Sequence, residues 1–143
     1  MLKAAAVAAA DEARRLSVIR PKLLAVTVLT SIDADEWKKL GHTNSISQSV
    51  LTMAGAAKAA GMDGTVSSPH EAAEIRRLNG PDFLIVTPGI RPSFAQSDDQ
   101  KRITTPKEAV QNGATHLVVG RPITKAADPQ EAARAIAEEI REV

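Results

Sequence analysis

The sequence has 143 residues, no cysteine, 18 Lys and Arg against 17 Asp and Glu, and a formal net charge of +1. This length suits one domain with its own core, and the lack of cysteine excludes disulfides and thiolate metal ligands. Because charges of both signs are interspersed, the composition argues against a nucleic-acid-binding stripe or a membrane-binding patch. We therefore expect a cytoplasmic protein that binds neither nucleic acid nor membrane.

The chain begins with a predicted helix and continues with four predicted strands. The alanine-rich segment 1–16 predicts an amphipathic helix rather than a signal peptide, because Asp11 and Glu12 directly follow its short apolar run. Four nearly continuous apolar runs follow, a pattern typical of strands buried on both faces of a parallel sheet. They are "KLLAVTVL" (22–29), "GTVSS" (64–68), "DFLIVT" (82–87) and "THLVVG" (115–120).

Helical segments separate these strands. Ser68, Thr105 and Asp128 are each followed by a proline and, three residues on, by a glutamate, which predicts three capped helix starts. Segment 43–60 predicts a further helix, and 33–40 a short one. Glycines at 61, 80 and 113 predict helix ends just before the next strand. This alternation indicates an α/β fold with right-handed crossovers.

Two architectures fit this order of elements. A doubly wound open sheet suits the length as it stands, whereas a (β/α)8 barrel usually takes about 250 residues and would be half present here. In both, ligands bind at the carboxyl ends of the strands. Length alone favours the open sheet.

Two of the predicted strand ends carry a glycine followed closely by an arginine, in "TPGIRP" (87–92) and "GRPIT" (120–124). A single arginine at such a position is more often solvated or paired with a surface carboxylate. Arg91 and Arg121, however, leave consecutive strands, so both guanidinium groups can reach one phosphate or carboxylate. A phosphate site after the last two strands is common in (β/α)8 barrels, and this pair therefore favours the barrel.

Other kinds of site have little support in the sequence. His42, His70 and His116 lack the spacing of metal ligands, so we expect no metal site. The sequence contains neither a P-loop nor a G-x-G-x-x-G motif, and Ser67 and Ser68 have no partner that would make either a nucleophile. We expect no cofactor.

Four motifs together resemble the C-terminal half of orotidine 5'-phosphate decarboxylase. They are "LLAVTVLTS", "DGTVSSPHE", "TPGIRP" followed by "DDQKRITTPKEA", and "GATHLVVGRPITKAADP". The resemblance implies a (β/α)8 barrel, of which residues 1–143 form one partial-barrel domain: an N-terminal helix and about four β/α units that carry the phosphate-binding half. It also implies the conversion of orotidine 5'-monophosphate (OMP) to UMP in pyrimidine synthesis, without metal or organic cofactor.

The resemblance further implies which residues bind the substrate. Gln100 and Arg121 correspond to side chains that hold the 5'-phosphate, beside the backbone amides of Gly120 and Arg121, and Arg91 corresponds to another member of that group. Thr30 corresponds to the residue that meets the pyrimidine, with Ser31 as its close rival. Segment 87–106 is similar to the flexible loop that closes over the phosphate and base, with Gly89 allowing a sharp exit from the strand.

The sequence departs from the family in its catalytic residues. In this family, earlier strands contribute an alternating set of lysines and aspartates, and no lysine of this sequence lies in such a pattern. We therefore predict no catalytic residue here, and a chain that is inactive alone because it is a fragment of a decarboxylase that lacks its N-terminal half.

Two further interpretations stay open. The second interpretation is a non-catalytic half barrel that binds OMP, UMP or phosphate and self-associates, for example as a dimer, because four β/α units leave two unpaired sheet edges. The third interpretation is an independent open-sheet domain with a vestigial likeness to the decarboxylase.

Overall fold

The computed structural model describes residues 1–92 and 104–141. Within them, the helices alternate with four strands, and most elements lie where the sequence predicts them. In chain order they are α1 (Leu2–Leu16), β1 (Leu24–Val26), α2 (Ala34–Lys39), α3 (Ile46–Ala59), β2 (Gly64–Val66), a 3₁₀ turn (Pro69–Glu71), α4 (Ala72–Asn79), β3 (Leu84–Thr87), α5 (Pro106–Gln111), β4 (His116–Leu117), α6 (Arg121–Thr124) and α7 (Pro129–Arg141).

The four strands form one parallel sheet in the order β1-β2-β3-β4. Val26 lies opposite Val66, Val66 opposite Val86, and Val86 opposite His116. The prediction of a parallel α/β fold is confirmed. The strands are shorter than predicted. Beyond their ends, single backbone hydrogen bonds continue the pairing, such as the bond from Thr27 N to the Val66 carbonyl at 3.1 Å.

The helices cover one face of the sheet and form its core. Ile85 packs with Val50 and Ala54 of α3 and with Ala72 and Ile75 of α4 in the largest cluster. Smaller clusters join Ala25 to α1 and α3, and Leu117 to α5. Residues at odd positions of the strands therefore point towards the helices.

The opposite face of the sheet carries apolar side chains that remain accessible. We call it the open face and define it by Leu24, Val26, Val66, Val86 and Val118. Leu24 is 38% exposed, Val26 63% and Val118 51%, whereas Val66 and Val86 are half-buried. The sequence pattern predicted strands buried on both faces, and the structure corrects this for the edge strands, because their even-numbered residues lie on the side away from the helical clusters.

The predicted helix starts differ in how they form. Thr105 and Glu108 make a capping box, as do Asp33 and Glu36, while the Asp128 carboxylate accepts from the Glu131 amide at 3.0 Å. The start after Ser68 is a 3₁₀ turn rather than a regular helix.

Glu71, the predicted third residue of that helix, is buried rather than part of a capping box. Its side chain is 4% exposed and accepts a hydrogen bond from the Ser47 hydroxyl at 3.0 Å. A contact with α3 has thus replaced the local contact that the motif predicts, so the carboxylate ties α3 to the turn after β2.

The Asp63 side chain connects β2 to the segment before β1 at the amino-terminal edge of the sheet. Asp63, just before β2, accepts from the Leu23 amide at 2.8 Å and from Arg20 at 2.6 Å, and Lys22 lies 3.5 Å away. Burial raises the pKa of the Asp63 carboxyl, but these hydrogen bonds and positive charges outweigh burial and hold the pKa below its ordinary value.

The Arg76 guanidinium fastens the segments before β3 and β4. Its Nη1 donates to the carbonyls of Gly80 and Pro81 at 2.7 Å and of Phe83 at 2.9 Å, and Nη2 donates to the carbonyl of Gly113 at 3.1 Å. One side chain therefore satisfies four backbone acceptors from two separate turns.

Among the described residues, no helix combines the length and apolar character that a bilayer span requires.

Candidate functional site

The carboxyl ends of the strands bring four of the five predicted substrate-binding residues to one edge of the sheet. Thr30 follows β1, Arg91 follows β3, and Gly120 and Arg121 follow β4. They share this edge because all four strands are parallel. The fifth, Gln100, lies outside the described residues.

A cleft of about 240 Å³ lies at the ends of β1 to β3. Both rival residues, Thr30 and Ser31, line it, and Thr30 is 6% exposed whereas Ser31 is exposed. The remaining lining residues are Val26, Val28, Leu29, Val66, Ser67 and Pro88. An apolar cleft with a few hydroxyl groups suits a flat heterocycle better than a dianion.

The hydroxyl groups beside this cleft are bound to one another and to the backbone. The Ser67 hydroxyl donates to Thr65 Oγ1 at 3.0 Å, and the Thr27 hydroxyl donates to the Val66 carbonyl at 3.0 Å. Thr27 Oγ1 also lies 3.4 Å from Ser67 Oγ. Ser67 therefore belongs to a neutral chain of hydroxyls, which gives it no base to act as a nucleophile.

Arg91 lies at the base of the 87–106 segment, where the structure reveals a pairing that the sequence did not indicate. Gly89 has a φ of +79°, as its predicted turn requires. Beyond it, Ile90 forms a parallel bridge with Thr104, and the Arg91 amide donates to the Thr104 carbonyl at 2.9 Å. The two ends of the segment are therefore joined, while residues 93–103, including most of the predicted lid, lie outside the described residues.

The Arg91 side chain is fixed close to the backbone. It is 9% exposed, and its Nη1 donates to the carbonyl of Ile90 at 2.9 Å. In a setting of low dielectric, the attraction between a guanidinium and an anion is stronger than in water.

The far end of the 87–106 segment leads into a capped helix. The Thr104 hydroxyl donates to Glu108 Oε2 at 2.7 Å, and the Thr105 amide donates to the same atom at 3.1 Å. The bond from Thr104, the bond from the Thr105 amide and a further hydrogen bond from the Thr105 side chain hold the pKa of Glu108 below its usual range. The charged carboxylate thus supports the start of α5, which fixes the position of Thr104 opposite Ile90.

Arg121 begins a four-residue helix, α6, that the sequence pattern did not predict. Gly120 is its N-cap, and the Gly120 carbonyl accepts from the amides of Ile123 at 2.9 Å and Thr124 at 3.0 Å. A methyl group built on Gly120 would meet nothing within 4 Å, so a ligand can approach this backbone closely. The signal available in the sequence was Pro122, because proline is favoured in the first turn of a helix.

The three histidines occupy separate places. His42 stacks on Trp37 with the ring centroids 3.6 Å apart, and His116 Nδ1 lies 2.9 Å from the Thr115 hydroxyl, while His70 is exposed on the turn after β2. In the described part of the chain, no three of His, Asp and Glu form a group that could hold a metal ion.

Four parallel strands in consecutive order, helices on one face and arginines after the last two strands define the class of the protein. It has the β/α organisation of TIM-barrel proteins, in which a short extra helix after the last strands commonly provides a phosphate site.

The comparisons with known proteins identify the family within this class. Residues 1–136 match the family described as "Orotidine 5'-phosphate decarboxylase / HUMPS family". The chain is 59% identical over 121 residues to orotidine 5'-phosphate decarboxylase of Trichlorobacter lovleyi. The aligned region covers 85% of this chain and 50% of that protein. It is 49% identical over 141 residues to the Moorella thermoacetica enzyme, which covers 98% of this chain and 56% of that protein.

Solved structures show the same relation. The crystal structure of orotidine 5'-phosphate decarboxylase from Lactobacillus acidophilus superposes with a TM-score of 0.71 at 43% identity, over 86% of this chain and 50% of that one. An uncharacterized conserved protein from Geobacillus kaustophilus superposes with a TM-score of 0.68 at 33% identity. The chain therefore belongs to the orotidine 5'-phosphate decarboxylase / HUMPS family, and it spans about half the length of the curated relatives it matches.

Proposed function

We propose that this chain carries the phosphate- and pyrimidine-binding half of an orotidine 5'-phosphate decarboxylase site, and that its 143 residues alone bind UMP or OMP without decarboxylating. The observation that carries the proposal is the placement of Thr30, Arg91, Gly120 and Arg121 after parallel strands, at one edge of the sheet. Family membership supplies the ligand, because the named relatives act on orotidine 5'-phosphate.

The phosphate part of the site lies after β3 and β4. Arg121 offers a fork of donors suited to phosphate, and the accessible backbone at Gly120 allows the phosphate oxygens to approach its amide. Arg91 adds a second cation, and this one is buried; we infer that Gln100 adds a carboxamide from the 87–106 segment, which would close over the ligand.

The pyrimidine part lies in the cleft after β1. Its apolar walls and the buried Thr30 hydroxyl provide a flat slot with a polar contact at one end. Two separate subsites follow, a neutral one for the base and a positive one for the phosphate, and variants can test them independently.

Catalysis requires more than these two subsites. Loss of the carboxylate leaves a carbanion at the pyrimidine, which a positioned ammonium must stabilise and protonate, and such preorganised charge is usually the largest catalytic contribution. None of the lysines in this sequence lies in the family's alternating Lys/Asp pattern. Binding energy at the phosphate can orient the substrate but does not replace that charge.

Calorimetric titration of the 143-residue chain with UMP and with orthophosphate tests the two subsites. We expect Arg121→Ala to weaken both ligands by about 10- to 100-fold, since a hydrogen bond to a charged group contributes about 1.5–3 kcal/mol. Thr30→Val should weaken UMP but leave orthophosphate unchanged. Arg134→Ala, which removes an exposed arginine of α7, is the matched control and should change neither affinity.

Equal UMP affinity in the wild-type chain and Arg121→Ala would refute the phosphate assignment. A decarboxylation assay that follows the absorbance of OMP tests the second part of the proposal. We expect no turnover by the chain alone, and rapid turnover would show that the catalytic groups lie within these 143 residues.

A further inference from the structure

The Thr104 side chain makes a hydrogen bond that the start of helix α5 does not require. Its hydroxyl donates to Glu108 Oε2 at 2.7 Å, while the Thr105 amide donates to the same oxygen at 3.1 Å. The bond from the Thr105 amide belongs to the capping box, which satisfies backbone amides that a helix start leaves without acceptors. The Thr104 hydroxyl is not such an amide, so its bond to Glu108 instead fixes the residue that precedes the cap.

Thr104 in turn holds the backbone on both sides of Ile90. The Arg91 amide donates to the Thr104 carbonyl at 2.9 Å, and the Thr104 amide donates to the Gly89 carbonyl at 3.4 Å. Ile90 lies inside this parallel bridge, and its carbonyl accepts from Arg91 Nη1 at 2.9 Å. The backbone of Arg91 and the acceptor of its guanidinium therefore both depend on where Thr104 lies.

Helix α5 supports this arrangement from below. Ala109, next to Glu108, is fully buried and packs with Ile90 in one cluster. Because side chains in a close-packed core transmit small displacements to their neighbours, α5 and Ile90 keep a fixed relative position. The bond from Thr104 is also the largest of the effects that lower the pKa of Glu108, so the carboxylate is charged at neutral pH and the bond is charge-assisted.

We propose that Glu108 is a positioning residue for Arg91, and that it acts through Thr104 rather than through contact with a ligand. The carboxylate holds Thr104, Thr104 holds the Arg91 backbone, and the guanidinium is thereby presented to the phosphate subsite. This role deepens the proposed function and rests on it for the identity of the ligand, whereas the hydrogen-bonded contact can be tested without any ligand.

Amide hydrogen exchange of the 143-residue chain, measured by nuclear magnetic resonance without nucleotide, tests the contact. We expect the Arg91 amide to exchange about 10-fold faster in Glu108→Ala and in Thr104→Val than in the wild-type chain, because each variant removes one partner of a bond to a charged group. The Ser67 amide, which donates to the Val86 carbonyl at 3.0 Å, is the internal reference and should keep its wild-type rate.

Conservative variants separate the hydrogen bond from other effects. Glu108→Gln keeps an oxygen that can accept from Thr104 and Thr105, and Thr104→Ser keeps the hydroxyl, so both should retain most of the protection of the Arg91 amide. The double variant Thr104→Val/Glu108→Ala should accelerate exchange by less than the product of the two single effects, since both substitutions remove the same bond.

Glu131→Ala is the matched control. Glu131 follows Asp128-Pro129 as Glu108 follows Thr105-Pro106, and both glutamates are exposed. Glu131, however, pairs with Arg134 of its own helix. The control should change neither the exchange of the Arg91 amide nor the affinity for UMP.

Calorimetric titration with UMP connects the contact to the ligand. Glu108→Ala and Thr104→Val should weaken UMP by about 3- to 10-fold, less than Arg121→Ala, because they displace Arg91 without removing its charge. Glu108→Gln and Thr104→Ser should bind nearly as the wild-type chain does. In a chain that already carries Arg91→Ala, the further substitution Glu108→Ala should leave UMP affinity unchanged, which a general loss of stability would not explain.

Four results would overturn the positioning role. They are an unchanged exchange rate of the Arg91 amide in Glu108→Ala, equal acceleration at Arg91 and Ser67, equal losses in Glu108→Gln and Glu108→Ala, and the same effect of Glu108→Ala on UMP affinity with and without Arg91. The two proposals fail in different ways. A wild-type chain that binds no UMP refutes the proposed function, whereas the exchange rates decide the role of Glu108 with or without a ligand.

Discussion

Replacement of Arg76 by alanine should destabilise the chain more than any other substitution of an arginine on α4. The guanidinium binds four carbonyls, in the turns before β3 and before β4, at 2.7 to 3.1 Å. A hydrogen bond to a charged group contributes about 1.5–3 kcal/mol net. Pro81 is exposed and its carbonyl can return to water, whereas Phe83 is buried, so the sum falls well below four full contributions.

We expect the free energy of unfolding to fall by about 2–4 kcal/mol in Arg76→Ala. For a chain of this size that corresponds to a drop in Tm of about 6–12 °C. Arg76→Lys keeps the charge but not the fork of donors, so its loss should be intermediate. The same turns precede the strands that lead to Arg91 and Arg121, so the variant should also weaken phosphate binding.

Urea unfolding, followed by circular dichroism and by the fluorescence of the single tryptophan, measures this effect. Protein concentration must be the same for all variants, since any self-association would make the midpoint concentration-dependent. Arg77→Ala is the control: Arg77 lies next to Arg76 on the same helix but pairs with Glu74 at the surface, and it should change stability by less than about 0.5 kcal/mol. Equal unfolding midpoints for the two variants would refute the assigned role of Arg76.

Four other substitutions test the remaining contacts. The pKa of the Asp63 carboxyl is lowered in the folded chain. The carboxylate therefore stabilises the fold above its ordinary pKa of 3.8, and this stabilisation is lost as the pH falls through the folded pKa. Asp63→Asn should flatten the acid limb of a stability–pH curve, and an unchanged limb would contradict this. Gly64→Ala should destabilise by about 1–3 kcal/mol or more, because the added methyl would lie 2.2 Å from the Leu84 carbonyl oxygen. Gly55→Ala should instead stabilise the chain by about 0.5–1 kcal/mol, because Gly55 lies in a helix and nothing lies within 4 Å of the added methyl. Thermal melts that show Tm changes of the same sign for both glycine variants would reject the packing argument. Thr105→Ala removes the cap of α5 and should cost about 1 kcal/mol, measured in the same melts, and no change would show that Glu108 alone supports the helix start.

Local sequence signals predicted the order of elements because each acts over a few residues. Proline after a capping residue marked the starts of α5 and α7, and apolar runs marked all four strands. The same signals did not predict local structure where a contact with a distant residue determines it. Glu71 fits a local capping box, but burial against Ser47 of α3 determines its position, and the bridge between Ile90 and Thr104 joins residues on either side of a long segment.

The sequence could place the candidate site on the sheet but not its environment. A strand end locates Thr30 and Arg121 at the correct edge, because parallel strands share a direction. The position of a strand end does not reveal that Thr30 is buried while Ser31 is exposed, or that Arg121 starts a short helix. Both features depend on packing beyond the strand. Likewise, apolar runs predict buried strands whether or not both faces are covered, so the open face could not be inferred from periodicity.

The distribution of charge along the sheet edge makes ligand binding and catalysis separable. The residues that directly follow β1 and β2, 27–32 and 67–69, include no charged side chain, whereas Arg91 and Arg121 follow β3 and β4. Among the described residues, the positive charge at this edge therefore lies on the side of the proposed phosphate subsite, and no lysine lines the base cleft. We therefore expect this chain to bind UMP and to remain inactive on OMP. Turnover should require lysines and aspartates beyond those of this chain, and decarboxylation of OMP by the 143 residues alone would show that the charge required by the carbanion comes from residues of this chain.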